Sequence, residues 1–433
     1  MGARASSRTT APPRHLVVVT SSRADLAHLI WPLRALRAEP SLRLTIMACG
    51  AALSEEYGSA AARLREEGFE VLDVGEPLGI DTPAQMAAAV GSLTRDFAEA
   101  LALAPPDLLL VIADRVEMLA PATAALAMRI PIIHIEGGEL SEGAIDNAVR
   151  NALTAMSHVH LVTTEAARLR VIAMGEEPWR VHQVGAASLD HLRHATLPPL
   201  TEVLIPTGLA PSHPLLLVAV HPTTLADEPD ADAVAILAAL TMLDQAGPLR
   251  SAQVLFAFPN ADDGGRTVRR HCEAWCLRRS STASPIARLV TQLPAEWWFA
   301  LLDSPRTVAI VGNSSSIVME APAAGLPSVL VGERQRGREL SPSTQWVTGA
   351  SAQVPFGTPT ALEIALAIEA AVTVGWSPQP RDRWPSNHPY GDGRAAERIA
   401  QAIRGLPDRA ALLNKHAGAT NSPGVFAKPL LLK

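Results

Sequence analysis

A chain of 433 residues is longer than one hydrophobic core normally holds, so two domains of roughly 200 residues each are expected. Hydrophobic residues at 48% and charged residues at 18% give an ordinary globular balance, and a net charge of -6 without a sustained basic run excludes the cationic footprint of a nucleic-acid binder. No apolar run reaches the roughly 20 residues of a membrane span, and three cysteines, Cys49, Cys272 and Cys276, suit neither a disulfide framework nor, with His271, a structural zinc site. The expectation is a cytoplasmic protein without a metal, a nucleic-acid partner or a membrane.

Residues 1–13 read as a flexible arm. The run 15–21 (HLVVVTS) is continuously apolar and β-branched, the texture of a strand buried on both faces. A helical pattern follows, with Ser22 or Ala24 near its start, Arg23 and Asp25 in the strand-to-helix turn, and Pro32 bending it. Such first turns are frequent anion or sugar sites, which makes Arg23 and Asp25 ligand candidates. Short apolar runs recur at 42–49, 69–74, 107–113, 130–136, 158–163 and 181–185, separated mostly by helical patterns near 54–67, 83–104, 115–129, 144–157 and 164–174. That alternation predicts right-handed β-α-β units and a mostly parallel sheet, a Rossmann-like domain over 14–195.

Between 187 and 213 the pattern loosens into LPPL, IPTG and PSHP, a connector texture. Apolar runs at 215–220, 253–258, 287–291, 307–311 and 328–331 then predict a second Rossmann-like domain over 205–390. The proline- and arginine-rich 375–389 leads through glycines 391 and 393 into a helix at 394–406, expected to pack back on the first domain. Residues 407–433 read as a peripheral tail.

Charged residues concentrate just past the predicted strand ends over 108–160: Asp114, Arg115, Glu117, Glu136, Glu139, Asp146 and Arg150. Ligands of open parallel sheets sit outside those ends. Glu136 and Glu139 flank Gly137 and Gly138, where backbone can approach a ligand, and packed carboxylates raise one another's pKa toward a general acid or base. Asp146 and Arg150 are four apart on one helix face, and a surface ion pair is the plain alternative. In TVAIVGNSSSIVMEAP (307–322), Asn313, Ser314 and Ser315 follow a strand at the start of a predicted helix, where unpaired N–H groups suit a diphosphate. Glu320, a turn and a half along that helix, could accept from a ribose diol; Ser314 as a simple cap is the rival. His221 leaves the first strand of the second domain facing the cleft, able to bind phosphate or donate a proton. Asn260 occupies the analogous exit from the next strand. GERQRGRE (332–339) offers Arg334 and its neighbours as a clamp for phosphate or a uracil carbonyl, against the reading of a solvated loop.

SSRAD, ADRVEMLA, HIEGGE, the aspartate helix, MGEEPWRVHQVG, HPTT, FPNADDGG, GNSSSIVMEAP, GERQRGRE and HPYGDGRAAERI occur in that order from about residue 15 to 405. Together they resemble the hydrolysing UDP-N-acetylglucosamine 2-epimerases, which release N-acetylmannosamine or a related 2-acetamido sugar. The resemblance implies a GT-B-like α/β architecture, two Rossmann-like domains with parallel sheets and a cleft between them. By this carry-over Ser314 and Ser315 bind the diphosphate, Glu320 the ribose and His221 the phosphate region. Arg23 and Arg334 hold the nucleotide sugar, with Asp25, Arg115, Glu139, Arg150, Asn260 and Asn313 among the substrate-binding residues. Asp114, Glu136 and Asp146 fall on the acid–base positions. The implied reaction removes the C2 proton as UDP leaves, then adds water to the glycal with inversion at C2, with no cofactor. The implied partners are a UDP-sugar substrate and further copies of the chain in a dimer or tetramer. The chain departs from the family pattern at Asn147, where a second acid is usual, at Asn151 for histidine, at Ala155 for lysine and at Ala52 for histidine. A diverged hydrolase or lyase acting on a nucleotide or nucleoside derivative, or a GT-B glycosyltransferase, are the alternative functions.

Overall fold

A computed structural model of the chain describes residues 12–55, 58–76, 82–142, 145–223, 226–246, 248–257, 264–280, 286–291, 293–349, 359–375, 384 and 388–416. Asn260, residues 1–11 of the predicted arm and 417–433 of the predicted tail lie outside the described residues.

The first sheet is built from β1 (Arg14–Thr20), β2 (Leu42–Ala48), β3 (Val71–Asp73), β4 (Leu108–Ile112), β5 (Ile132–Ile135), β6 (Val159–Val162) and β7 (Val181–Gln183). All pair in parallel, in the order β3-β2-β1-β4-β5-β6-β7. The second holds β8 (Leu215–Ala219), β9 (Gln253–Ala257), β10 (Ala287–Val290), β11 (Thr307–Gly312), β12 (Ser328–Val331) and β13 (Thr344–Val347). It is also parallel, ordered β10-β9-β8-β11-β12-β13. The central strands β1, β4, β8 and β11 are almost wholly buried, as expected of strands covered by helices on both faces. The helix Arg23–Arg37 shows the complementary pattern: Leu26, Leu29, Ile30, Leu33 and Leu36, at three- and four-residue spacings, turn one stripe into the core. Pro32 lies inside this helix.

Strand order reverses between β1 and β4 in the first sheet and between β8 and β11 in the second. The loops leaving the carboxyl ends of those strands diverge there and open a crevice. The sequence places Ser21–Asp25 and Asp114 at the first switch point, and His221 and Asn313–Ser315 at the second.

Several element boundaries differ from the sequence expectation for identifiable reasons. The helix expected over 54–67 begins only at Ala60, because Gly58 and Ser59 take left-handed backbone angles, φ 84° and 35°, that no α-helix accommodates. The one expected over 115–129 opens as a tight 3-10 turn, Val116–Met118, before Leu119–Ala127. The edge strand β13, TQWV, was not anticipated: only Val347 of the four is buried, so the continuous apolar signal of the inner strands is missing. The connector also carries two short helices, Asp190–His194 and Leu200–Leu204.

Gly312 ends β11 at φ 148°, and a Cβ there would overlap the Ala219 carbonyl oxygen. Its lack of a side chain lets Asn313 N and Ser314 N reach that same oxygen at 3.1 and 3.2 Å, which locks the serine turn onto the end of β8.

Two passages of chain cross between the sheets side by side, joined by Ala186 N donating to Tyr390 O at 2.8 Å. The helix Ala395–Arg404 follows, its first amides held by the Asp190 carboxylate (Ala395 N 2.9 Å, Ala396 N 2.8 Å). Ile399 and Ile403 then enter the hydrophobic cluster of the first sheet. Buried Arg180 holds what comes after, donating to the carbonyls of Leu412 at 2.9 Å and Asn414 at 3.0 Å.

Candidate active site

The turn after β1 is rigid because Ser22 and Asp25 form a reciprocal capping box. The Asp25 carboxylate accepts from Ser21 N at 2.7 Å, Ser22 N at 3.0 Å and Ser22 Oγ at 2.9 Å. Asp25, expected among the ligand-binding residues, is thus committed to the turn. Its neighbour Arg23 is the outward-reaching group and crosses to the second sheet, donating to Thr291 O at 3.2 Å.

One turn along the same helix, His28 Nδ1 meets Glu136 Oε1 at 2.6 Å. Glu136 leaves β5 at φ 66° and Ala113 leaves β4 at φ 56°, both unusual for non-glycine residues and both at the mouth of the sheet. Burial alone would push the Glu136 carboxyl upward; His28 in contact and Arg338 farther off overcome this and hold it below its ordinary range. The same burial disfavours the charged His28, yet Glu136, with Glu320 and Asp25 beyond it, lifts the imidazole to about 9. Both partners are therefore ionised at neutral pH.

Arg150 is fully buried and organises the remaining acids. It pairs with Asp114, donates to Glu139 O at 2.9 Å and reaches Ser141 Oγ at 3.3 Å. The surface pair envisaged between Asp146 and Arg150 is replaced: Arg150 turns inward to Asp114, while Asp146, at the start of helix Asp146–Met156, lies 3.8 Å from Arg334 across the cleft. Glu139 is buried and accepts from Thr163 Oγ1; burial raises its carboxyl above the ordinary range. Arg115 pairs with buried Glu117 at 3.1 Å.

On the other wall, Asn313 is a clamp rather than a free ligand group. Its amide accepts from His221 N at 2.7 Å and donates to His221 O at 2.9 Å and to Asp232 at 3.0 Å, which fixes the His221 loop beside the serine turn. Ser314 caps a 3-10 turn, Ser315–Ile317, accepting from Ser316 N at 3.3 Å. The continuous helix expected to carry Glu320 is absent. Pro322 lacks the N–H that would bond Val318 O, and its ring crowds that carbonyl, so Glu320 instead opens a separate short helix, Glu320–Ala323. Its Oε1 accepts from Ser188 Oγ at 2.5 Å, and its Oε2 is buried without a partner among the described residues.

The loop after β12 closes the cleft. Arg334 Nη1 donates to Asn313 O at 3.4 Å, Arg336 pairs with Glu142 at 2.5 Å, and Arg338 Nε donates to Leu140 O at 3.0 Å. The arrangement sets an ionised, histidine-held carboxylate and an arginine-organised acid cluster against a serine turn and an arginine loop. Such a cleft suits proton abstraction beside a departing anion.

Sequence reasoning did not single out His28, Ser188, Arg338 or Tyr390. The signal for His28 is its place three residues after Asp25, on the same side of the helix. Arg338 lies inside GERQRGRE, weighed there only together with the other arginines as a clamp, and Tyr390 lies inside HPYGDG without a role of its own. Ser188 sits in a loosened connector and carries no local signal.

Two Rossmann-like domains facing one another across such a cleft define a GT-B-like protein. A family model described as UDP-N-acetylglucosamine 2-epimerase matches residues 34–404, and the chain belongs to that family. It is 28% identical over 403 residues, 93% of this chain and 98% of the relative, to the UDP-N,N'-diacetylbacillosamine 2-epimerase (hydrolyzing) of Legionella pneumophila. It is 30% identical over 337 residues, 76% of this chain and 82% of the relative, to the UDP-N-acetylglucosamine 2-epimerase of Neisseria meningitidis serogroup B. Among solved structures, the Methanocaldococcus jannaschii UDP-GlcNAc 2-epimerase in complex with UDP-GlcNAc and UDP superposes with a TM-score of 0.65 at 16% identity, covering 90% of this chain and 99% of that one.

Proposed function

We propose that the chain is a hydrolysing epimerase of a UDP-linked 2-acetamido sugar, releasing UDP and the C2-epimerised free sugar. Both relatives are named as UDP-sugar 2-epimerases and the Legionella one as hydrolysing, and the site's chemistry agrees with that activity. The observation that carries the reading is the ionised Glu136 at the mouth of the first sheet, held by His28 at 2.6 Å, with the charge of Glu320 also acting on that histidine.

In this mechanism Ser314 and Ser315 hold the diphosphate, His221 the phosphate region, Glu320 the ribose, and Arg23 and Arg334 the nucleotide sugar from both walls. Glu136 takes the proton from sugar C2. The C–H electrons form the C1=C2 bond as the C1–O pair leaves with UDP, toward the arginine loop that stabilises the departing charge. Water then adds its oxygen to C1 and a proton enters C2 from the opposite face, with Asp114 and Asp146 handling the water's protons. The nucleotide belongs to the second domain and the sugar chemistry to the first, and closure through Arg334, Arg336 and Arg338 shields the elimination from bulk water.

Proton NMR of UDP-N-acetylglucosamine and UDP-N,N'-diacetylbacillosamine turnover in deuterated water tests this. The expected products are UDP and a free sugar inverted at C2 and carrying deuterium there. UDP release with protium retained at C2 would refute epimerisation, and release of a free glycal would reassign the protein as a lyase.

A further inference from the structure

A group that can only accept hydrogen bonds needs donors, and carboxylates cannot supply them. In the mechanism proposed above, with Glu136 acting at sugar C2, the carbonyl of the 2-acetamido substituent would come among the acceptors Glu136, Glu139 and Asp114. Three donors beside those acids are already engaged. His28 gives its Nδ1 to Glu136, Thr163 its hydroxyl to Glu139, and Arg150 its guanidinium to Asp114, Ser141 and the Glu139 carbonyl.

Two donors remain. Tyr390, on the second crossing passage and near enough to Glu139 and Arg338 to feel their charges, is fully buried, yet its hydroxyl has no hydrogen-bond partner among the described residues. Folded proteins rarely leave such a group unsatisfied without a reason, because the desolvation is uncompensated. Arg338 is pinned at two of its nitrogens, Nε on Leu140 O at 3.0 Å and Nη1 on Met319 Sδ at 3.6 Å, while Nη2 takes no hydrogen bond among the described residues. Leu140 follows Glu139 and Met319 precedes Glu320, so this guanidinium spans the cleft between the two walls. Burial, then the charge of Glu139, holds the Tyr390 phenol well above its ordinary range, so it remains a donor throughout the physiological pH range.

We propose that Tyr390 is a substrate-contacting residue whose hydroxyl donates to the carbonyl oxygen of the sugar's 2-acetamido group, beside Arg338 Nη2. The proposal rests on the nucleotide-sugar reading of the cleft. It makes Tyr390 a specificity determinant for an acetamido group over a hydroxyl at C2, since a hydroxyl is shorter and can donate to the acids itself.

Calorimetric titration in a Glu136→Gln background, where the sugar is not consumed, tests it with UDP, UDP-glucose and UDP-N-acetylglucosamine. The parent should bind UDP-N-acetylglucosamine more tightly than UDP-glucose. Adding Tyr390→Phe should weaken UDP-N-acetylglucosamine about tenfold and leave UDP and UDP-glucose within about twofold. Its melting temperature should not fall, because the hydroxyl has no partner to lose. Equal weakening of UDP, unchanged preference for the acetamido sugar, or a chain that melts lower or fails to fold would each overturn the proposal. A parent that binds no uridine nucleotide would overturn the functional reading and the proposal with it; the UDP control distinguishes that from a failure of Tyr390 alone.

Discussion

His28 and Glu136 exert on each other an attraction large enough to outweigh their own burial, and that has measurable consequences. His28 is raised from 6.5 to about 9 in the folded chain, so its contribution is complete below pH 6.5 and is lost as pH rises through about 9. Glu136 is lowered from 4.5, so its contribution is present above pH 4.5 and is lost as pH falls below it. Thermal melts should therefore show greatest stability between about pH 5 and 6.5, with a decline of up to about 3 kcal/mol toward pH 9 that His28→Asn flattens. The catalytic counterpart is Glu136→Gln, which keeps shape and burial but cannot take a proton. It should lower kcat by about a hundredfold or more and abolish deuterium incorporation at C2, with UDP affinity within a few-fold of the parent. Retained exchange at C2 would move the base to Asp114 or Asp146.

At the scale of elements, legibility followed burial. Runs such as VVV of β1 and LLLV of β4 announce themselves because both faces of an inner parallel strand must be apolar, whereas the exposed edge strand β13 has no such requirement and stayed hidden. Helix starts were displaced where backbone angles rather than side chains decide, as at Gly58 and Ser59. Gly312 is the sharpest case of backbone control, since β8 and β11 can meet the serine turn only if no Cβ intervenes. Gly312→Ala should cost more than about 3 kcal/mol, or separate the serine turn from β8, seen as a lower melt with UDP affinity falling alongside it. The helix Ala395–Arg404 offers the contrasting test. Ile403→Ala, inside the cluster of the first sheet, should cost about 2–4 kcal/mol while the folded fraction still binds UDP normally, because the nucleotide lies on the other wall.

For the molecule as a whole, the contacts that join the two walls are long-range in sequence and include ion pairs as well as arginine hydrogen bonds to backbone carbonyls. Arg336 and Glu142, 194 residues apart, meet at 2.5 Å while both side chains are more than a third exposed. A half-solvated pair of this kind is worth about 0.5–1 kcal/mol, enough to bias closure but not to hold the fold. Glu142→Arg and Arg336→Glu should each lower kcat/KM about two- to fivefold, and the double swap should recover most of the loss without a change in melting temperature. Singles and double falling additively would deny the pair a role in closure.

By itself the sequence determined two parallel α/β domains and the wall on which each candidate residue stands, because strand burial and the position of strand ends are periodic, local properties. Only the tertiary structure decided what those residues do to one another. Arg150 serves Asp114 instead of its helix neighbour Asp146, and Asp25 and Asn313 are spent holding turns. Glu136 is paired with a histidine 108 positions away. Hydrogen bonds and Coulomb forces act through distances of a few ångströms that the order of residues along a chain does not encode, so the buried hydroxyl of Tyr390 became visible only once both walls of the cleft were in place.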